Sequence, residues 1–331
     1  MRIITTEEHI SLSPLGEAVA KYAGADAPYA AFAPGPGLPY IPDPELFGDV
    51  GEKRIGDMDR NGISMQILSV ASQSGLLPRE EAVPILRQTN DRMAQAISRH
   101  PDRFAGFASL PWSDPEGAAR ELERAVTKLG FRGAILSGRP SPEAVFLDDP
   151  RFTPVLEAAQ ALEVPIYVHP APPLRQVREA YYAGLGDRLS ARLSLYGWGW
   201  HNEAGIQLLR MILSGALDRF PGLRLIGGHW GEMVPFYLSR LDQALPQSVT
   251  KLEKTITETF RQSIYITPSG IFDYPQLQFC LDVVGPDRIL HATDCPFIPN
   301  DSTAPFLKNA PIPQETKEKI AHQNAERLFR L

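Results

Sequence analysis

Cysteine is scarce in this chain, with only Cys280 and Cys295 among 331 residues. Two cysteines make no disulfide framework and no cysteine-rich zinc module. The chain also lacks an apolar run of the ~18–20 residues that a membrane-spanning helix needs. Its first residues show no apolar signal core. We therefore expect a protein of the reducing cytoplasm without a membrane partner.

Basic charge is not in excess either. The formal net charge is −6 and the pI is about 5.7, so the chain offers no electrostatic footprint for nucleic acid. Its content of 43% hydrophobic and 22% charged residues is that of a globular protein with a substantial core. Since parallel barrels of this length commonly form one domain, we expect residues 1–331 to be a single domain.

Strand and helix signals alternate along the chain. Eight short apolar runs predict strands at Ile3–Thr6, Met65–Val70, Phe104–Leu110, Gly133–Ser137, Pro165–His169, Leu223–Gly227, Ile264–Thr267 and Ile289–Thr293. Eight amphipathic stretches predict helices at Glu52–Asn61, Val83–His100, Pro115–Leu129, Arg151–Leu162, Asn202–Phe220, Met233–Ala244, Pro275–Val284 and Gln314–Leu331. This alternation favours an α/β fold of the (β/α)₈ TIM-barrel type. A doubly wound open sheet is the alternative.

Two connections are unusually long. Ser11–Val50 is rich in proline among tyrosine and phenylalanine, and Ala171–Trp200 holds three tyrosines and two tryptophans. Both follow strand C-terminal ends, so we expect long insertions over the C-terminal face of the barrel, ordered as aromatic lids. A contact between subunits is the alternative role.

Candidate metal ligands follow several of these strands. Glu7 and His9 stand two residues apart, a spacing that places both side chains on one face of a strand. His169 ends the fifth strand and Asp294 directly follows the last. A closed parallel barrel brings these distant strand ends to one pocket, whereas an open sheet would leave the first and last strands far apart. Carboxylate and imidazole ligands without thiolate suit Zn²⁺, with Mn²⁺ as a second candidate.

The same segments resemble a known family. Glu7-x-His9, His169-Pro170, Gly228-His229-Trp230-Gly231-Glu232 and Thr293-Asp294-Cys295-Pro296-Phe297 are similar to motifs of the amidohydrolase superfamily. Within it, the chain resembles the aromatic-acid decarboxylases that act on γ-resorcylate, 2,3-dihydroxybenzoate and 5-carboxyvanillate. The resemblance extends over essentially the whole chain.

The resemblance implies one divalent ion held by Glu7, His9, His169 and Asp294. A second ion is not expected, because Gly133–Ser137 offers no bridging lysine. The resemblance also implies that His229 lies close to substrate and metal, and that Arg54 faces the substrate carboxylate. For Arg54, a surface position on its helix is an equally good interpretation. Family members commonly form dimers or tetramers, so we expect a homo-oligomer.

Four further residues are candidates for supporting roles around the pocket. Glu232 and Arg240 follow His229 and could hold an imidazole or a carboxylate in place. Capping of a helix by Glu232 and a surface pair of Arg240 with Asp242 are the alternatives. His201 lines the pocket or begins the next helix, and Trp230 walls the site or fills space between strand and helix.

Two reactions fit these residues. The first is non-oxidative decarboxylation of a hydroxybenzoate-type acid, with Arg54 on the carboxylate and Asp294 placing a proton on the ring carbon, for which its pKa would have to be raised. The second is metal-assisted hydrolysis or hydration of a ring-cleavage product, lactone or amide, with Asp294 or His229 as the base. We favour the first. A non-catalytic barrel fits poorly, because all four ligand positions hold competent residues.

Overall fold

The computed structural model describes residues 1–12, 14–23, 44–70 and 72–331. Its strands are β1 (Ile4–Ile10), β2 (Met65–Val70), β3 (Phe104–Gly106), β4 (Ala108–Ser109), β5 (Ala134–Ser137), β6 (Ile166–His169), β7 (Leu225–Gly227) and β8 (Ile264–Ile266). Every pair of neighbouring strands is parallel.

The strands close into a ring. β1, β2 and β3 form one sheet, and β4 to β8 form another. The segment 289–295 closes them, because isolated parallel bridges join Ile289 to β8 and join His291 and Cys295 to β1. The (β/α)₈ barrel is therefore confirmed, and the doubly wound sheet is excluded.

The predicted third strand is present as two pieces. Phe107, between β3 and β4, donates its backbone N–H to Leu68 O, while Ala108 donates to Gly133 O. The backbone hydrogen bonds of this strand thus change from β2 to the segment of β5 at this point, which divides the strand into two pieces. β3 and β4 together occupy one of the eight strand positions.

The first strand is longer than predicted. It continues through Glu7, Glu8 and His9, with a shift in its register against β2 between Thr5 and Glu8. Glu7 and His9 therefore lie inside the strand, and the intervening Glu8 faces the opposite side.

The helices lie around this ring. They are α1 (Leu15–Ala23), α2 (Pro44–Gly48), α3 (Glu52–Arg60), α4 (Arg79–Ile97), α5 (Pro115–Leu129), α6 (Thr153–Ala161), α7 (Arg175–Tyr181), α8 (Asp187–Ser194), α9 (Gly199–Leu213), α10 (Ala216–Arg219), α11 (Gly228–Glu232), α12 (Val234–Ala244), α13 (Gln247–Thr250), α14 (Ile256–Ser263), α15 (Tyr274–Val283), α16 (Thr303–Asn309), α17 (Gln314–Glu318) and α18 (Asn324–Phe329). The predicted helix Asn202–Phe220 is divided into α9 and α10, because Gly215 has a φ of 70°.

Two layers of apolar side chains fill the molecule. One cluster lies inside the ring and includes Ile67, Phe107, Tyr167 and Ile226. Phe329 of α18 packs on Phe107 with a ring distance of 5.5 Å, so the last helix covers the inner cluster. The larger cluster lies between strands and helices.

The second long connection is partly helical, since α7 and α8 lie within Ala171–Trp200. Of the first connection, Ser11–Val50, residues 13 and 24–43 lie outside the described residues, and the predicted lid there stays a prediction. Within the described ranges, no helix combines the length and the apolar character that crossing a membrane requires.

Candidate metal centre and active site

The four predicted ligands meet at the C-terminal ends of the strands. Glu7 and His9 of β1, His169 of β6 and Asp294 each offer one atom, and these atoms all lie within 4.8 Å of one another. His9 Nε2 is 3.2 Å from Asp294 Oδ1, and His169 Nε2 is 3.4 Å from Glu7 Oε1. Ligand atoms bound tetrahedrally at ~2.1 Å from one ion are about 3.4 Å apart. The spacing therefore fits a shared divalent ion.

The hydrogen bonding of these ligands supports the same conclusion. Glu7 Oε1, His9 Nε2 and Asp294 Oδ1 are buried and have no hydrogen-bond partner among the described residues. Buried polar atoms without partners are costly. A cation is the partner that two carboxylate oxygens and imidazole nitrogens share, so this group can hold a divalent metal.

Glu7 is held from the side away from the ligands. Its Oε2 accepts hydrogen bonds from Tyr167 and Ser269, which leaves Oε1 directed to the other ligands. A Cβ at Gly228 would lie only 3.0 Å from Glu7 Oε2, so a side chain there would crowd this carboxylate. Burial raises the pKa of Glu7, and a nearby cation would offset that cost of ionisation.

His9 is oriented by Ser69 on the neighbouring strand. Ser69 Oγ lies 2.9 Å from His9 Nδ1, so Nε2 is the nitrogen left for an ion. His169 is suited to the same role, because burial and the nearby His9 lower its pKa to about 3. A neutral imidazole keeps the lone pair that a metal ligand needs.

The predicted contact of Arg54 with the substrate carboxylate is not supported. The side chain is buried with 0% exposure, and its guanidinium donates to the backbone oxygens of His9, Leu46 and Asp49 and to Gln66 Oε1. At least four of its five N–H donors are thus used inside the protein. Arg54 joins β1 to α2 and β2 through these hydrogen bonds, and its burial rules out the surface alternative as well.

The pKa of Asp294 is lowered in this environment, contrary to the expected raised pKa. Burial alone would raise it, but interactions with the His229 and His9 imidazoles outweigh burial and lower the pKa to about 2. The Asp294 backbone has a φ of 71° and donates its N–H to Glu7 O. This turn directs the carboxylate towards the first strand.

His229 lies beside Asp294 and is supported by Glu232. His229 Nδ1 is 2.9 Å from Glu232 Oε1, and Nε2 is 3.8 Å from Asp294 Oδ2. Burial lowers the pKa of His229, but the charges of Glu232 and Glu7 outweigh it and raise the pKa well above its usual value. The raised pKa favours the protonated form of His229 beside the Asp294 carboxylate.

The remaining predicted site residues fall into different places. His201 Nδ1 lies 2.8 Å from Glu232 Oε2, so it supports the site through Glu232. Trp230 belongs to the core between strands and helices and donates its Nε1–H to Ile271 O, so its space-filling alternative holds. Arg240 is exposed on α12; among the described residues it makes neither the expected contact with the site nor the alternative pair with Asp242.

Family comparisons agree with this geometry. Residues 49–331 match the family model described as Amidohydrolase. The chain belongs to the amidohydrolase family. This amidohydrolase is 35% identical over 312 residues to the γ-resorcylate decarboxylase of Polaromonas sp. strain JS666, across 88% of this chain and 93% of the relative. The predicted resemblance is thereby confirmed.

Solved structures give the same result for the fold. The 5-carboxyvanillate decarboxylase of Sphingomonas paucimobilis superimposes with a TM-score of 0.89 at 33% identity, covering 100% of this amidohydrolase and 99% of the other chain. A dihydroxybenzoic acid decarboxylase of Polaromonas sp. JS666, solved with manganese and the inhibitor 2-nitroresorcinol, has a TM-score of 0.87 at 32% identity and coverage of 100% and 97%. Manganese is thus the ion present in a close structural neighbour.

Sequence reasoning missed the residues that orient the ligands of this amidohydrolase. Tyr167 stands two residues before His169 on β6, and the same period-two spacing that joined Glu7 to His9 could have found it. Ser69 pairs with His9 in the register of β1 and β2. Ser269 carries no such signal, because it lies in a loop.

Proposed function

We propose that this amidohydrolase catalyses non-oxidative decarboxylation of an aromatic acid with a hydroxyl group beside its carboxylate. The observation that carries the proposal is the position of Asp294, whose carboxylate shares the ligand group with Glu7, His9 and His169 and lies beside His229. The relatives' substrates, γ-resorcylate and 5-carboxyvanillate, are acids of this class. Metal-assisted hydrolysis or hydration is the reaction that has to be excluded by experiment.

The ligand residues Glu7, His9, His169 and Asp294 would hold Mn²⁺ or Zn²⁺, which when bound stabilises negative charge on the oxygens of the substrate. We name Mn²⁺ first, because a structural neighbour was solved with that ion. The ligand types accept either metal.

In the proposed order of proton transfers, Asp294 begins as a carboxylate, in line with the lowered direction of its pKa. As a carboxylate, Asp294 first takes the proton of the substrate's phenolic hydroxyl and then delivers it to the ring carbon that bears the carboxylate. The bond between ring and carboxylate breaks, its electron pair restores the aromatic ring, and carbon dioxide and a phenolate leave. No oxidant or organic cofactor is required, since the transferred proton comes from the substrate.

His229 supports this sequence through its charge. An imidazolium beside Asp294 stabilises the negative charge that remains on the substrate oxygens when the phenolic proton has moved. Glu232 accepts the Nδ1–H of His229 and so keeps the Nε2 side of the ring turned towards Asp294.

We also propose that the enzyme is a homo-oligomer in the cytoplasm. Three exposed aromatic side chains support assembly: Phe236 and Tyr237 of α12 are 70% and 53% exposed, and Phe279 of α15 is 36% exposed. Phe236 lies 5.4 Å from the Tyr237 ring and 5.7 Å from the Phe279 ring. Apolar clusters of this kind favour burial against a partner.

Two buried free cysteines suit the reducing compartment that this proposal names, the cytoplasm.

Asp294→Asn tests the proposed reaction. The wild-type protein, loaded with Mn²⁺, should release carbon dioxide from 2,6-dihydroxybenzoate or 5-carboxyvanillate, and the variant should lose about 10²–10⁴-fold in turnover. Carbon dioxide release and chromatography of the phenolic product measure the reaction, while elemental analysis follows metal content. Asp282→Asn, on the surface of α15, is the control and should retain full activity.

Two results would overturn the proposal. One is a metal-loaded wild-type enzyme that hydrolyses esters or lactones and releases no carbon dioxide from any hydroxybenzoate. The other is an Asp294→Asn variant with metal bound and normal turnover, which would remove the proton role of Asp294.

A further inference from the structure

A second imidazole reaches the Glu232 carboxylate. Glu232 has no exposed side-chain surface, and each of its oxygens meets one ring: Oε1 lies 2.9 Å from His229 Nδ1, and Oε2 lies 2.8 Å from His201 Nδ1. The two rings are 4.4 Å apart between centroids. The Glu232 carboxylate is thus shared by His229, which lies beside Asp294, and by His201 of α9.

The hydrogen positions in this group follow from its chemistry. An ionised carboxylate only accepts hydrogen bonds, and the pKa of Glu232 is lowered because both histidines outweigh its burial. Both Nδ1 atoms therefore carry a proton. With both oxygens occupied by N–H donors, Glu232 has no oxygen directed to a second metal ion.

The far side of His201 also has defined partners. Its Nε2 lies 3.0 Å from Trp200 Nε1 and 3.1 Å from Tyr196 O. The Trp200 indole can only donate a hydrogen bond, so it pairs with an Nε2 that carries no hydrogen. The Tyr196 carbonyl can only accept, so it pairs with an Nε2 that carries one. With either partner, the Nδ1–H of His201 stays directed at Glu232.

We infer that His201 is a positioning residue, which fixes Glu232 through the second oxygen and thereby fixes the ring of His229 against Asp294. Without His201, Glu232 Oε2 would be buried without a partner, at a cost in free energy and with freedom to rotate. Rotation of Glu232 would carry the hydrogen bond to His229 with it. The positioning role of His201 rests on the proposed decarboxylation only in the experiments that measure turnover.

Gly205 brings His201 to this place. It lies one helical turn after His201 on α9, and a Cβ there would stand 2.6 Å from Glu232 O. The helix can therefore lie directly against the backbone of Glu232. This close packing places His201 within hydrogen-bond distance of the Glu232 carboxylate.

His201→Leu and His201→Asn separate positioning from packing. Leucine removes the donor, whereas the asparagine Nδ2–H lies where the Nδ1–H was. In the metal-loaded enzyme, we expect His201→Leu to lower kcat about 10–100-fold with little change in KM, and His201→Asn to restore much of that loss. His322→Asn is the control, because His322 also bridges two carboxylates, Glu318 and Glu326, but lies between α17 and α18.

Imidazole N–H resonances provide a readout that does not depend on activity. In ¹⁵N-histidine-labelled protein, the His229 Nδ1–H signal should shift in His201→Leu, shift less in His201→Asn and stay unchanged in His322→Asn. Trp200→Phe, which removes only the indole donor, should produce a smaller shift. Metal analysis should give one ion per chain in every variant.

The outcomes distinguish the two proposals. An unchanged His229 signal in His201→Leu, or equal activity losses in the leucine and asparagine variants, would overturn the positioning role while the decarboxylase proposal stands. A shifted His229 signal in a protein that decarboxylates no hydroxybenzoate would support positioning and overturn the proposed function. A second equivalent of metal bound at His201 would also overturn the inference.

Discussion

At the scale of single residues, the site depends on hydroxyl groups that orient the metal ligands. Ser69 orients His9, and Tyr167 and Ser269 hold one oxygen of Glu7. Burial, followed by the charge of Glu7, raises the pKa of Tyr167 well above its usual value, so it remains a hydrogen-bond donor. Such partners determine how well a ligand set is prepared for its ion.

Tyr167→Phe tests this arrangement. Loss of the hydroxyl leaves Glu7 free to turn away from the other ligands, and we expect metal affinity to fall about 10–100-fold. Titration of Mn²⁺ into metal-free protein measures the change. Tyr265→Phe is the matched control: this tyrosine belongs to the same inner cluster, but its hydroxyl accepts from Arg288. Equal affinities in the two variants would contradict the role of Tyr167.

Residue types and spacing predicted the metal ligands, but they did not predict the surroundings of Arg54 and Asp294. The period of two on a strand correctly placed Glu7 and His9 on one face. Arg54 was misplaced, because no local pattern shows that its side chain turns back to backbone oxygens of distant segments. The pKa of Asp294 was misjudged for a similar reason: burial was foreseen, but the effect of two neighbouring imidazoles depends on distances that only the fold sets.

At the scale of elements, the short segment α11 after β7 is the least predictable part of the site, because most of its backbone forms a left-handed turn and not an ordinary α-helix. His229, Trp230, Gly231, Glu232 and Met233 all have positive φ, although only one of the five is glycine. Each non-glycine residue in this region costs roughly 1–2 kcal/mol. Trp230 N–H donates to Thr267 O, and Glu232 binds two histidines. These tertiary contacts outweigh the local preference of residues other than glycine for negative φ, which is the conformation that the sequence alone predicts.

Gly205→Ala tests the packing of α9 against this turn. The added methyl group would collide with Glu232 O, so α9 must move and carry His201 with it. We expect a loss of roughly 1–3 kcal/mol in the free energy of unfolding, together with reduced turnover. Gly16→Ala on α1, where nothing lies within 4 Å of the added atom, is the control. Chemical denaturation measures stability, and an unchanged Gly205→Ala variant would show that the close contact does not constrain α9.

At the scale of the whole molecule, closure of the barrel brings together metal ligands that are far apart in the sequence. Glu7 and Asp294 belong to the first and last strand positions, and the isolated bridges from Thr5 and Glu8 to His291 and Cys295 make those positions neighbours. The distribution of ligands along the sequence predicted this closure, because an open sheet would have left the same residues apart. Assembly beyond one chain has no comparable signal, since exposed aromatic residues are recognised only once the fold defines the surface.

The aromatic cluster of Phe236, Tyr237 and Phe279 makes assembly testable. If it is covered by a second copy, light scattering of the wild-type protein should give a multiple of 36.6 kDa. The double variant Phe236→Ser, Phe279→Ser should shift towards the single-chain mass, because the apolar area that drives association is lost. Val83→Ser, at an exposed apolar position of α4, should leave the mass unchanged. A wild-type protein that stays at 36.6 kDa at micromolar concentration would exclude the proposed homo-oligomer, and a multiple that survives the double variant would place the interface elsewhere.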